Sequence, residues 1–450
     1  MNTCSVCDKE FEDEYFDIEQ NKCILHCDNK EKDIKLFWKK IREIIKEQDE
    51  DRLSVEIPFE KVYFPKCEEK GLAETLAETL ADNGSNFFYQ EENKFTKKLF
   101  LKECTFWDDI DFRFITFKKG LTFEKCTFNK ELNFKNQTFE KGSKVRIQNS
   151  KKIANVNFEN TTFKDLADFY GSNFYTVNFF KTTFEDISVF TEAVFHESVD
   201  FKYTTFEELV LFRKTIFKQE INLADSIIKA EANFLEVSSE VRKKHEAGYY
   251  IGMSKDIDVA NRETARIIKH SFEKQNNIIE SNRFYALELS EREKELNSEN
   301  LQDLLIFKLH NIVSEHSQNW LLVLMWITLF SWFFSINTIY KNIDVSLFFY
   351  FLSIASFGLF NWFLNSCFYK EYLLKAFLRI IFIVLVVFIS FQYAMSSGLD
   401  KELLNQFVLN VNPFSKIGDN ISLVELVYKI FMGYLIYQFI VSVRQNTRRK

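Results

Sequence analysis

Large apolar residues recur at an unusual interval through the middle of the chain. Between residues 106 and 139 the phenylalanines are separated alternately by six and five residues, and spacings of five or six resume after residue 158. Neither an α-helix, with period 3.6, nor a flat strand, with period 2, has this spacing. The series comprises Phe106, Phe112, Phe117, Phe123, Phe128, Phe134, Phe139, Phe158, Phe163, Phe169, Phe174, Phe179, Phe184, Phe190, Phe195, Phe201, Phe206, Phe212 and Phe217, and ends on Leu223, Ile228 and Phe234.

A second, smaller residue stands two positions before most of these phenylalanines. The residue between the two is usually Thr, Asn or Asp, and the residues that follow Phe are mostly polar or charged. This pattern predicts two inward side chains on each short side of a coiled chain. The smaller residues are Cys104, Ile110, Ile115, Leu121, Cys126, Leu132, Val156, Thr161, Ala167, Ser172, Val177, Thr182, Ala193, Val199 and Thr204.

Repeated many times in register, this unit resembles the pentapeptide-repeat family in its phenylalanine-centred variant. The resemblance implies a right-handed quadrilateral β-helix, a solenoid with four sides per coil. Two five-residue and two six-residue sides predict a coil of 22 residues, so residues 22 apart should stack at about 4.8 Å. The predicted stacked pairs are Cys104 with Cys126, Phe106 with Phe128, Phe112 with Phe134, and Phe184 with Phe206.

The spacing is lost between Phe139 and Phe158, where the interval is two residues longer than the pattern allows. Gly142 and Ser143 mark a two-residue bulge or loop there, and Ile147 and Ile153 are expected to take the core positions. Because each coil contacts only its neighbours, both ends of the solenoid should need caps.

The N-terminal segment concentrates potential metal ligands. Cys4-x2-Cys7 is followed by Cys23-x2-His26, and Cys27 is adjacent. Four soft or borderline ligands from two short knuckles suit tetrahedral zinc. We therefore predict a structural Zn²⁺ bound by Cys4, Cys7, Cys23 and His26, with Cys27 as the alternative ligand.

The remaining segments flank the repeat. We predict a zinc-binding segment at 1–30, an amphipathic helix and linker at 31–58, the solenoid at 59–235 with an inserted helix at 68–82, a helical connector at 236–317, and a membrane domain at 318–450. The helix at 31–48 presents Ile34, Phe37, Ile41 and Ile45 on one face. The zinc segment and the inserted helix are expected to cap one end of the solenoid. The connector resembles helical segments that join pentapeptide repeats to membrane segments in some bacterial proteins.

Four stretches are long and apolar enough to cross about 30 Å of hydrocarbon: about 320–340, 346–366, 373–394 and 423–443. Basic residues concentrate between the second and third stretches and at the C-terminus. By the positive-inside rule, the N-terminal domains and the C-terminus should be cytoplasmic. This predicts a multi-pass protein of the bacterial inner membrane.

Polar residues within a membrane segment are candidates for function. Glu425 and Lys429 lie one helical turn apart at the start of the fourth stretch, and Gln438 lies deeper. These three residues are candidates for a pore or gate, although Glu425 and Lys429 could simply reach the interface. The 397–422 loop is long enough to dip into the bilayer, but it has no potassium-channel filter sequence.

Charge and motifs narrow the function further. The formal net charge is −7, and residues 95–234 carry about 21 basic and about 20 acidic residues. A solenoid with nearly balanced charge argues against nucleic-acid binding and against mimicry of DNA. Since no catalytic motif is evident, we predict a non-enzymatic scaffold that binds a cytoplasmic protein or senses a ligand. The alternative is an oligomeric channel or transport-like effector gated through the solenoid.

Overall fold

The computed structural model describes residues 1–29, 32–50, 56–66, 93–95, 97–113, 115–245, 248–254, 257–339, 358–360, 372–396, 398, 400–415 and 421–447. The chain forms two compact units, Met1–Asn277 and Ile278–Lys450. The predicted inserted helix at 68–82 lies outside the described residues.

The first unit is a parallel β-solenoid of about six turns, and its strands form four sides, A to D. Side A comprises Glu56–Glu60, Lys98–Lys102, Leu121–Glu124, Val145–Gln148, Ala167–Asp168, Ser188–Val189, Val210–Leu211 and Ala232–Asn233. Side D comprises Thr138–Phe139, Thr162–Phe163, Thr183–Phe184, Thr205–Phe206 and Ile227–Ile228, together with the pair Asn93–Phe95 and Ile115–Phe117.

Sides B and C share one sheet because some strands run around the corner between them. Its strands are Tyr63–Phe64, Thr105–Phe106, Ile110–Asp111, Thr127–Asn133, Lys152–Asn157, Asn173–Asn178, Val194–Phe195, Val199–Asp200, Ile216–Phe217 and Ile221–Asn222. Three antiparallel pairs lie outside the solenoid: Asn2–Thr3 with Glu10–Phe11, Phe16–Asp17 with Lys22–Cys23, and Ser239–His245 with Gly248–Ser254.

The phenylalanines fill the interior as four ladders, one for each side. The predicted stacked pairs are confirmed: ring centroids are 4.9 Å apart for Phe106 and Phe128, and 5.1 Å apart for Phe184 and Phe206. The smaller residues predicted to point inward are also buried, as are the phenylalanines themselves. The period is not uniform, since Phe163 stacks on Phe184, which comes one position earlier than the predicted period requires.

The coil containing Gly142 and Ser143 is longer than its neighbours, as predicted. Phe123 pairs with Ile147, and Phe134 stacks on Phe158 at a centroid distance of 5.3 Å. In both pairs the second member comes two positions later than the predicted period requires. The extra length is therefore absorbed within this coil, and the ladders continue past it unbroken.

A left-handed corner accompanies most of the five-residue sides. The residue two after the core residue then has positive φ, as at Asn160 and Lys214, whereas the five-residue side between Phe174 and Phe179 lacks it. The N–H of the next residue then donates to the carbonyl of the core residue, for example from Thr161 to Phe158 at 3.0 Å. An Asn or Asp before the phenylalanine often supports this turn, since its side chain accepts the N–H two residues on.

Hydroxyl groups at these corners form hydrogen bonds between successive coils. Thr182 Oγ1 donates to the Phe158 carbonyl at 2.8 Å, and Thr204 Oγ1 donates to the Phe179 carbonyl at 2.8 Å. These two corner threonines are therefore satisfied by the backbone of the preceding coil, as burial of a polar group requires.

Helices close both ends of the solenoid. Helix α1 (Ile34–Glu50) packs Phe37 against Phe64 of the first coil, with ring centroids 5.7 Å apart. Helix α2 (Arg262–Lys274) begins at Asn261, whose side chain accepts the Thr264 N–H at 2.9 Å. Thr264 Oγ1 in turn accepts the N–H of Leu223 in the last coil at 2.8 Å.

The second unit is helical. It contains α3 (Ile278–Glu295), α4 (Leu301–Ser314), α5 (Trp320–Ile339), α6 (Tyr372–Ser396), α7 (Asp400–Val411) and α8 (Leu423–Thr447). Short 3₁₀ turns occur at Asp13–Tyr15 in the first unit and Ser298–Asn300 in the second. The core of the second unit joins α5 to α8, where Phe334 stacks on Tyr428 with centroids 3.8 Å apart.

The four-span prediction is supported only in part. Within the described residues, α5 and α8 are long and apolar enough to cross a membrane, by length and composition only. In α6 the apolar stretch is the shorter segment Phe377–Ile389. Most of the predicted 346–366 span lies outside the described residues.

Two further elements differ from expectation. The segment after the solenoid begins with the Ser239–Ser254 hairpin rather than directly with helix. The 397–422 segment contains α7, an amphipathic helix whose Leu403 packs with Trp332 of α5. Leu403, Phe407 and Val411 recur every four residues, so helical periodicity was present in the sequence.

Candidate metal centre

Two knuckles bring the predicted ligands together at the N-terminus. The pair Asn2–Thr3 and Glu10–Phe11 encloses the turn that carries Cys4 and Cys7. Asp8, with φ of 54°, closes this turn by donating its N–H to the Cys4 carbonyl at 2.9 Å. Cys23 ends the second pair of strands, and the His26 N–H donates to its carbonyl at 2.9 Å.

The ligand atoms of Cys4, Cys7, Cys23 and His26 lie within 4.8 Å of one another. His26 Nδ1 is 3.1 Å from Cys23 Sγ and 3.5 Å from Cys4 Sγ. Ligands about 2.0–2.3 Å from a tetrahedral zinc ion are separated from one another by roughly 3.5–3.8 Å. The cluster therefore has the donors and the size to hold a metal ion, and its sulfur and imidazole ligands fit zinc.

Local electrostatics distinguish the ligands. Burial raises the pKa of the Cys7 and Cys23 thiols. Burial also acts to raise the pKa of Cys4, but hydrogen bonds from the N–H groups of Cys23, Val6 and Cys7 outweigh it and lower this pKa. Backbone N–H groups that converge on a sulfur stabilise a thiolate, which is the form that binds metal.

His26 carries the second contact that metal-binding histidines usually make. Its Nε2 lies 3.0 Å from the carbonyl oxygen of Glu60, in the first strand of side A. This contact places the proton on Nε2 and leaves Nδ1 free to bind metal. Burial and the charges of Lys32, Lys22 and Lys61 lower the pKa of His26, which favours the neutral ring.

Cys27 lies apart from the cluster. It is buried, and its Sγ donates to the Ile24 carbonyl at 3.6 Å. The structure therefore does not bring together a ligand set that includes Cys27.

The candidate pore residues do not converge on one another. Glu425 closes a capping box at the start of α8: its carboxylate accepts the Ser422 N–H at 3.0 Å, and its own N–H donates to Ser422 Oγ at 3.2 Å. Lys429 is buried and donates to the Asn412 carbonyl at 2.8 Å and to Ser415 Oγ at 2.7 Å. It therefore binds the C-terminal end of α7, where a cation is favourable, rather than reaching to the interface.

Gln438 belongs to a buried polar cluster that sequence reasoning missed. Ser317 Oγ donates to Gln438 Oε1 at 3.4 Å, and His310 Nε2 lies 2.9 Å from the same hydroxyl. His316 Nδ1 lies 3.4 Å from His310 Nδ1. We call His310, His316, Ser317, Gln438 and Glu293 the histidine hub. Sequence spacing could not reveal the hub because its members come from α3, α4, the turn after α4, and α8.

Comparison with known proteins supports the repeat. Residues 179–227 and 190–238 match the family model described as Pentapeptide repeats (9 copies). No curated protein and no solved structure matches the chain. The phenylalanine ladders, the parallel solenoid and the matched segment together show that this chain carries a pentapeptide-repeat β-solenoid.

Proposed function

We propose that this protein is a membrane-anchored scaffold whose cytoplasmic solenoid binds a protein partner. A structural Zn²⁺ ion would hold the N-terminal knuckles, with Cys4, Cys7, Cys23 and His26 as its ligands. The solenoid interior is filled by stacked rings, so recognition falls to the outward positions and to the ends.

The observation that carries the anchoring is the apolar outer surface of α6 and α8. Val384, Phe388 and Ile389 of α6 are 60%, 58% and 63% exposed. Val427 and Ile430 of α8 are 60% and 66% exposed. A soluble protein rarely exposes apolar side chains on successive turns of two long helices, whereas lipid would cover them.

Alkaline extraction of membranes tests the anchor. The full chain should stay in the membrane fraction, and its release would overturn the proposal. For orientation, a phosphatase that folds only outside the cytoplasm can be fused within 341–345, within 416–420 or after Lys450. The four-span arrangement expects activity at the two internal sites and inactivity at the C-terminus. Activity at the C-terminus would contradict the cytoplasmic assignment.

An apolar patch on side A marks the expected contact surface. Leu166, Ile187 and Leu209 occupy one outward column, because the Ala167 and Ser188 N–H groups donate to the carbonyls of Ile187 and Leu209 in the next coils. Val189 pairs with Leu211 in the adjacent column. Ile187 is 38% exposed, and the other four are half-buried.

Acidic residues border this patch. Asp165, Asp186 and Glu208 directly precede the three residues of the first column. A partner segment with apolar side chains and basic flanks would complement this edge. We therefore commit to an apolar, basic segment of a cytoplasmic protein as the occupant.

A photo-crosslinking residue at Ile187 tests this surface in cells. We expect one discrete crosslinked partner, which Leu209→Asp removes and Thr205→Asp retains. Thr205 is the matched control because it lies outward on side D of the same coil. Equal crosslinking in both variants, or crosslinks only between copies of this chain, would overturn the assigned occupant.

The channel remains the alternative function. Glu425, Lys429 and Gln438 each have a local partner, which lies just before α8, just after α7 and in the turn before α5, respectively. These contacts favour structural roles. Unitary currents from purified protein that disappear in Glu425→Ala would reverse this preference.

A further inference from the structure

A buried amine joins the second knuckle to the solenoid. Lys32 is 6% exposed, and its Nζ donates to the carbonyls of Ile24 and Cys27, both at 2.8 Å, and of Tyr63 at 2.9 Å. The first two carbonyls flank His26 in the knuckle, and the third lies in the first strand of side B. All three protons of the ammonium therefore have acceptors.

The strand that Lys32 reaches and the first strand of side A form the N-terminal edge of the solenoid. Glu56–Glu60 pairs with Lys98–Lys102, and Tyr63–Phe64 pairs with Thr105–Phe106. On the opposite edge the knuckle supplies their partners. The Tyr63 N–H donates to the Leu25 carbonyl at 2.9 Å, and the Glu60 carbonyl contacts the His26 ring at 3.0 Å.

An uncovered strand edge is a template for pairing with another chain. The N-terminal segment that covers this edge is short and would depend on its metal, because so short a segment cannot build a sufficient core. The opposite end of the solenoid differs, since α2 closes it through Asn261 and Thr264. One end of the solenoid is thus covered by α1 and by a segment that depends on a metal centre, whereas the other is closed by a helix cap.

We propose that metal occupancy closes the N-terminal edge of the solenoid, and that Lys32 is the positioning residue that transmits it. When the metal leaves, the turn at Ile24–Cys27 loosens and strands 56–60 and 63–64 become available to an extended strand of another chain. This inference rests on the proposed metal centre and adds a regulatory consequence to it.

Hydrogen exchange of the full chain in detergent, zinc-loaded and chelator-stripped, tests the coupling. Metal content is measured on the same samples. On stripping, amides in 56–64 should exchange at least about tenfold faster, while those in 221–234 keep their protection. Lys32→Met should retain zinc yet exchange in 56–64 at the stripped rate. Lys40→Met is the matched control, because Lys40 pairs with Glu43 at the surface of α1.

The outcomes separate the two proposals. If the reconstituted protein holds no zinc, the metal centre itself is wrong. If zinc binds but its removal leaves 56–64 protected, the centre stands and the coupling is wrong. If Lys32→Met holds zinc and protects 56–64 as the wild type does, Lys32 is not the positioning residue. The stripped wild type needs no substitution, so it tests the coupling even if a variant misfolds.

Discussion

The solenoid and the helical unit bury polar groups in opposite ways. In the solenoid, buried threonines such as Thr182 and Thr204 each donate to one backbone carbonyl of the preceding coil. In the helical unit, several buried polar side chains converge on the histidine hub, where His316 contacts both His310 and Glu293. The first arrangement repeats a small interaction many times, whereas the second concentrates several interactions in one place.

This difference predicts how each unit responds to damage. A repeat spreads its stability along an axis, so loss of one hydroxyl should be local and additive. A hub couples elements distant in sequence, so a single substitution in it should destabilise all of them. The ladders share the weakness of any one-dimensional array, because a break in the middle separates its two halves.

The largest effect is expected from such a break. Phe184 stacks between Phe163 and Phe206, at 5.0 and 5.1 Å. Phe184→Ala should cost about 3–5 kcal/mol, as expected for an aromatic residue removed from a packed core. Hydrogen exchange in the full chain should show the loss in the coils on both sides of residue 184.

Thr183→Ala is the control for the ladder, because Thr183 lies in the same strand but points outward. It should change stability by no more than about 0.5 kcal/mol. If the two substitutions were equally harmful, the stacked rings would not be the source of stability.

The hub should respond to pH. Burial lowers the pKa of both His310 and His316, and the neighbouring Glu293 opposes this only for His316. Their folded-state pKa values therefore lie below the unfolded value of about 6.5. Below that pH the unfolded chain binds more protons, so the stability of the helical unit should fall as the pH falls through 6.5 towards the folded values.

Hydrogen exchange of α3, α4 and α8 at pH 7.5 and pH 5.5 measures this loss. Each unit of pKa difference corresponds to about 1.4 kcal/mol. Glu293→Gln should increase the sensitivity to acid, since it removes the group that favours protonated His316. His270→Gln should leave the sensitivity unchanged, because His270 is exposed on α2. Equal protection factors at both pH values, each corrected for the intrinsic exchange rate at that pH, would show that the hub does not titrate.

A smaller, local effect is expected from the threonine column. Thr204→Val removes the hydroxyl that donates to the Phe179 carbonyl, but this carbonyl still accepts the Thr182 N–H at 3.0 Å. The expected cost is about 1 kcal/mol, measured as faster exchange confined to the neighbouring coils. Thr161→Val should add to it, because Thr161 lies two coils away and donates to Phe134. If the cost of the double substitution differed strongly from the sum of the two single costs, the threonines of the column would be energetically coupled.

The solenoid could be predicted in detail because one local rule repeats. Phenylalanine spacing identified the ladders, the stacked pairs and the enlarged coil at Gly142. It could not show where the left-handed corners lie, since residues as different as Asn160 and Lys214 adopt positive φ there, and the five-residue side after Phe174 has no such corner. The contact between His26 and Glu60 joins residues 34 positions apart, and no periodicity reports such a pairing.

The helical unit was less predictable for the same reason. Apolar length identified α5 and α8, but hydropathy does not encode which polar groups meet. Lys429 illustrates this: its place one turn from Glu425 suggested a surface pair, whereas its amine binds the end of α7. A buried cation whose acceptors are backbone carbonyls leaves no pattern of complementary side chains in the sequence.

The smallest effect concerns the left-handed corners. Lys214 has φ of 57°, a conformation that costs an L-residue with a side chain about 1–2 kcal/mol. Lys214→Gly should relieve that strain, but a glycine loses more conformational entropy on folding. The net stabilisation of the folded solenoid should be up to about 1 kcal/mol. Its ion pair with Glu192, at 3.7 Å and half exposed, contributes little. Lys202→Gly, one position before a corner, should instead destabilise. If both glycines destabilised the solenoid equally, the corner conformation would not be what distinguishes the five-residue sides.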